Sequence, residues 1–439
     1  MASEPRLQVV ESPGAYIYFV VAAFLLTLSL GPILGTLLWM SRSGMALPGR
    51  QEALVQAHGW AQLLGWPGLF VAGFSLRLVP RFAGRPEISN RYALAILAGL
   101  VAGLLLRVAG LVGGGSSVAV AGGALLTASM MAVAVALAIT LRQNRHRGTA
   151  WAPLVWLGTG WWAISGVLQL VLSIAALRSG TAPAAFDRAT VWVFTLGAVG
   201  NLIWAVQARM MPISFGRSAV SRRAVLIPTL LYNFAAAVIL LSALADYNPA
   251  LAPRATDIFT AALGLVGASI IWLAAVCGSL GGSPERLRPA SKHLGWFIVW
   301  ANRWALIAGV LLLALAAHQL LPPPLARMGL QDAALHAFTV GLITVLIAGM
   351  LQLVAPVFAM ERMDRRSPSS IAFLVWILLM TAAVCRVAAG LSPPLVTGSF
   401  NPLAELSALS GWFGLALLAG ALIRARTRAR SPGATLLRD

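Results

Sequence analysis

Twelve apolar stretches of 20 or more residues follow one another along the chain, the first at about 15–40 and the last at about 402–424. Each is long enough to cross a hydrocarbon core roughly 30 Å thick. Inside such a core every backbone N–H and C=O must find a partner within protein, so only helices and closed barrels can span it. Barrel strands alternate polar and apolar residues over about ten positions, and these stretches do not. The expected fold is all-α, a polytopic membrane protein of about twelve transmembrane helices. A chain of 439 residues that is 59% hydrophobic and 10% charged fits no water-soluble domain.

The polar intervals set an orientation. Of the 32 Lys and Arg residues, 23 fall on the side that holds the N-terminus, the even-to-odd loops and the C-terminus. The opposite side takes six, namely Arg42, Arg50, Arg178, Arg188, Arg254 and Arg327. The positive-inside rule then accounts for the net charge of +19 without a nucleic-acid partner, and both termini are expected in the cytoplasm. Arg424, Arg426, Arg428 and Arg430 read as a topology anchor against anionic lipid. No cleavable signal peptide is expected, because the first stretch is too long and lacks an A-x-A flank. Nearly all the basic residues are Arg and alanine is abundant, which fits a bacterial inner membrane. Cys277 and Cys385 are isolated, so neither a disulfide framework nor covalent c-type haem is expected.

Three segments repeat one pattern: His58–Arg85, Thr190–Arg217 and Leu335–Met360. Setting Gly65, Gly197 and Gly341 level also aligns Pro80, Pro212 and Pro356 without a gap, at offsets of 132 and 144 residues. The first two copies share Arg-x-x-Pro-x-x-x-Gly-Arg, Arg77 to Arg85 and Arg209 to Arg217. Four helices per copy gives repeat units of about 1–147, 148–290 and 291–439 within a single membrane domain. Arg107 on helix three lies 49 residues after His58, and Arg386 on helix eleven lies 50 after His336. The middle unit has neither residue, with Trp192 in the histidine's place, and reads as the structural member.

Of five histidines, His146 and His293 sit in cytoplasmic intervals and His318 at the outer end of helix nine. His58 and His336 differ, since each is expected roughly 8–9 Å below the outer surface on an even-numbered helix. One reading is a helix-to-helix hydrogen bond. The other is axial ligation of a metal or haem iron, for which neutral imidazole is a common ligand. Glycines at 59, 65 and 341 would leave room for a flat macrocycle. Arg107 and Arg386 are expected about 25 Å along helices that start inside, in the same outer layer. Arginine in hydrocarbon costs about 2.5–3.5 kcal/mol and needs an anion or an escape to the interface. The 13 acidic residues lie mostly in loops or at helix ends, which leaves haem propionates or snorkelling as the expected solutions. Arg303, in WANRW of helix nine, could cap backbone carbonyls or line a polar path. Asn201, Gln207 and Gln352 read as interhelical hydrogen-bonding groups, and Trp60 and Trp192, aligned with His336, could flank a bound ring.

The HGWAQLLGWPGLFVAGF segment at His58, ALHAFTVGLITVLIAGM at His336 and the RVAG elements on helices three and eleven resemble the NnrS family. They are also similar to subunit I of the haem–copper oxidases. The resemblance implies a haem-binding membrane protein linked to nitric oxide metabolism and nitrosative stress. His58 and His336 would be the ligands of a b-type haem, with Arg107 and Arg386 near its propionates. Oxidases carry copper on histidines of helices six and seven. Thr190–Arg217 and Ala224–Asp246 contain none, so copper and oxidase-type reduction are not expected. Two other classes fit a repeated membrane chain, a transporter with a midplane site and an assembly partner of a respiratory oxidase.

Overall fold

The computed structural model describes residues 14–42, 51–142, 148–245, 248, 250–282, 289–318, 329–358, 369–392 and 401–429. Arg50, His146, Arg327 and Arg430 therefore lie outside the described residues, as do the side chains of Arg42, Pro356, Arg426 and Arg428. Twelve helices in the described residues are long and apolar enough to span a membrane. They are α1 Tyr16–Ser41, α2 Gln51–Phe82, α3 Asn90–Gly113, α4 Ser116–Arg142, α5 Trp151–Ser179 and α6 Ala184–Ser214. There follow α7 Arg222–Ala245, α8 Ala252–Cys277, α9 Lys292–Ala316, α10 Leu330–Leu353, α11 Ser370–Leu391 and α12 Pro402–Arg424.

Burial divides them into two layers. The apolar windows of α2, α6 and α10 are 100%, 89% and 78% buried, against 28–56% for the other nine. The three inner helices are those that carry the repeated sequence segments. The outer helices pack chiefly against chain neighbours, α3 with α4, α4 with α5, α7 with α8, α8 with α9 and α11 with α12.

Each inner helix contains a wider π-helical turn: Leu64–Gly68, Phe194–Gly200 and Ala337–Thr344. Each turn holds one of the aligned glycines, and each glycine faces the odd helix before it. A Cβ on Gly197 would lie 2.5 Å from Cγ of Trp161 on α5, and one on Gly341 would lie 2.5 Å from Cγ of Trp304 on α9. At Gly65 the nearest atom is Cβ of Leu26 on α1, at 3.4 Å. A π-turn breaks the regular ladder, and side chains repair it. Tyr232 Oη of α7 donates to the Leu196 carbonyl at 2.9 Å, and Thr344 Oγ1 donates to the Thr339 carbonyl at 3.0 Å.

The other repeated motif is a helix stop. Gly84 and Gly216 have φ of 63° and 66°, a left-handed conformation that suits glycine. The following N–H of Arg85 bonds back to the Pro80 carbonyl, and that of Arg217 to the Pro212 carbonyl, each at 2.8 Å. This six-to-one bond is the Schellman closure, so Pro-x-x-x-Gly-Arg ends α2 and α6 alike. In α1, Pro32 cannot donate to the Leu28 carbonyl. The Trp412 indole of α12 does so instead at 3.0 Å, joining the last span to the first.

Candidate functional site

A cavity of about 1940 Å³ opens among α1, α2, α6, α10, α11 and α12. His58 and His336 both line it, and so does Arg386. His58 is the eighth residue of α2 and His336 the seventh of α10, which puts both about 9–11 Å along their helices. Small residues shape the wall. Gly35 of α1 lies against the His58 ring, where a Cβ would come within 3.4 Å of Cε1, and a Cβ on Gly59 would meet nothing within 4 Å. Trp66 and Thr344 also line the cavity, and the Trp66 indole donates to Thr344 Oγ1 at 3.1 Å, tying α2 to α10. Gln56 clamps the segment before α6, its amide donating to the Ala182 carbonyl at 2.8 Å and accepting from the Ala182 N–H at 3.1 Å.

His336 is held by one residue twice. Its Nδ1 lies 2.8 Å from the Asp332 carbonyl oxygen and 3.4 Å from the Asp332 carboxylate. Both are acceptors, so Nδ1 carries the proton that it donates to them. Arg386 grips the same carboxylate with both terminal nitrogens, Nη1 to Oδ2 at 2.8 Å and Nη2 to Oδ1 at 3.1 Å. The expectation that no acidic residue could balance this arginine is thus corrected. Asp332 sits in the first turn of α10, where the helix N-terminus favours negative charge, and from there it reaches the cavity wall.

Arg107 does not join the other three on the cavity wall. It is buried between α3 and α5, donating from Nε to Ser173 Oγ at 3.3 Å, with its guanidinium 5.3 Å from the Trp60 ring centre. The Trp60 indole donates to Asp187 Oδ1 at 2.9 Å, and Asp187 and Arg107 attract each other electrostatically. Asp187 lines the cavity. A ring, a carboxylate and an arginine therefore meet twice, with Trp60 in one group where its aligned partner His336 stands in the other. Glu52 and Glu405, also in first turns of their helices, complete a set of four carboxylates on the cavity wall.

The family described as NnrS protein matches residues 17–430. The chain belongs to the NnrS family. A heme–copper terminal oxidase dimer solved by cryo-EM is similar in fold, with a TM-score of 0.66 and 14% identity over 95% of this chain and 84% of that one. No curated protein matches.

In this NnrS family member the facing groups of α6 and α7 are amides. Asn201 and Asn233 exchange hydrogen bonds at 2.8 and 3.0 Å, and the Trp161 indole donates to Asn233 Oδ1 at 2.7 Å. Asn201 is thus an interhelical group as expected. Gln352 instead bonds within its own helix, to the Ala348 carbonyl, and the buried Gln207 amide has no hydrogen-bond partner among the described residues. Trp192 lines the cavity, whereas Trp60 does not. Arg303 is exposed, donates to the Leu280 carbonyl at 3.2 Å and stacks on Trp300. That is the carbonyl-capping alternative. His318 Nδ1 bonds to the Leu315 carbonyl of its own helix, away from the cavity.

Proposed function

We propose that this chain binds b-type haem in the bacterial inner membrane and acts in nitric oxide metabolism or the nitrosative stress response. His58 and His336 would hold the haem iron in this reading. The observation that carries it is the single cavity onto which both imidazoles open from separate inner helices, with the His336 proton committed to Nδ1. The residues suit the group. The volume exceeds the roughly 300–1,000 Å³ of ordinary small-molecule sites. Gly35 packs against the His58 ring, and a Cβ on Gly59 would meet open space. Haem held there by two imidazoles would supply one-electron chemistry. The chain's own part is to orient the imidazoles, to close the floor through Trp66 and Thr344, and to keep lipid away by burying α2 and α10. Asp332 already balances Arg386, while Arg107 keeps a buried Nη1 that has no hydrogen-bond partner among the described residues.

The test is a pyridine haemochrome spectrum of the purified protein from haem-replete cells. Wild type should give a b-type spectrum, and His336→Ala and His58→Ala should lose most of the bound haem while accumulating in the membrane. A wild-type preparation without a Soret band rejects the reading.

A further inference from the structure

Resting on that haem reading, we propose that Asp332 and Arg386 are a positioning pair for His336, and that Arg386 acts on the haem through Asp332 rather than by holding a propionate. A histidine that ligates a metal usually gives its second ring N–H to a carbonyl or carboxylate, which fixes the ring and raises its basicity. Here one residue offers both, four positions earlier on the same helix. The carbonyl at 2.8 Å fixes the tautomer, and the carboxylate at 3.4 Å supplies negative charge to the ring edge. Arg386 then orients the carboxylate through a two-pronged grip at 2.8 and 3.1 Å. The guanidinium also draws negative charge away from the imidazole. Two of the five guanidinium N–H donors are thereby engaged by Asp332.

The pair therefore sets two opposed influences on the ligand. Removing the carboxylate makes the imidazole less electron-rich and raises the haem midpoint potential. Removing the guanidinium alone leaves the carboxylate uncompensated and lowers it.

The experiment uses the full-length haem-loaded protein with Asp332→Asn, Arg386→Gln and both together. Midpoint potential and the g values of the low-spin ferric EPR signal are read beside haem content. We expect Asp332→Asn to raise the potential and Arg386→Gln to lower it. In the Asp332→Asn background, Arg386→Gln should have little further effect, because coupled residues fail to add. An equal shift from Arg386→Gln in both backgrounds means direct action on the haem and overturns the inference. So do unchanged potentials and g values in all three variants. If Arg386→Gln does not accumulate, Arg386→Lys keeps the charge without the fork and must still move the g values; unchanged values overturn the pair. A wild-type protein without haem fails the parent reading instead, and wild type with haem but inert variants fails only this one.

Discussion

Gly59 follows His58 on α2, and its missing side chain faces open space in the cavity wall. Gly59→Ala should fold at least as well as wild type, since replacing a mid-helix glycine by alanine gains about 0.5–1 kcal/mol. Gly59→Phe should fold too, yet it would fill the open space at this point of the cavity wall. Haem content per protein should fall in the phenylalanine variant and hold in the alanine variant, measured by absorbance against peptide concentration. At this scale the two histidines and Arg386 were legible from rarity and depth, since ionisable groups in apolar helices are costly. Asp332 was not, because acidic residues at helix ends look solvated. The signal was present in its spacing, four residues before His336, at which helical side chains meet. Arg107 could be placed at its depth but not on a wall, because which face of α3 looks inward depends on α5 and α6.

The aligned glycines belong to the helices as packing elements, and their neighbours decide what each tolerates. A methyl group on Gly341 or Gly197 would collide with the body of Trp304 or Trp161 at 2.5 Å. Overpacking of this kind costs about 1–3 kcal/mol, more than the helical gain. Gly341→Ala and Gly197→Ala should therefore lower the melting temperature in detergent. Gly65→Ala, with Leu26 at 3.4 Å, should leave it unchanged or raise it. The repeated Pro-x-x-x-Gly-Arg could be seen in sequence as a motif, and its role as a helix stop is read from φ and hydrogen bonds. The π-turns escaped periodicity altogether. Their additional residue per turn is set by partners such as Tyr232 and Trp66 on other helices, which no local pattern announces.

For the molecule as a whole, the number of spans governs topology. An even count places both ends on one side, and by the positive-inside rule the Arg bias predicts that side to be the cytoplasm. Reporter fusions at the N- and C-termini should both report the cytoplasmic side. Fusions between α5 and α6, beside Arg178, should report the opposite one. Class, span count and approximate span limits followed from apolar length alone, because lipid leaves a chain few alternatives. The cavity did not, for it is made by six helices distant in sequence.

The inner position of α2 also bears on how the chain is made. This helix is the least apolar of the twelve, and its window is wholly enclosed by protein. A segment that never meets lipid in the finished molecule has no need of a lipid-compatible surface, but it must enter the bilayer before its neighbours surround it. Its stable insertion thus depends on α1 and on helices translated later. On the proposed haem reading, His58 and His336 could hold one group together only after synthesis has reached α10, some 270 residues downstream, so loading would belong to the completed chain rather than to the nascent one.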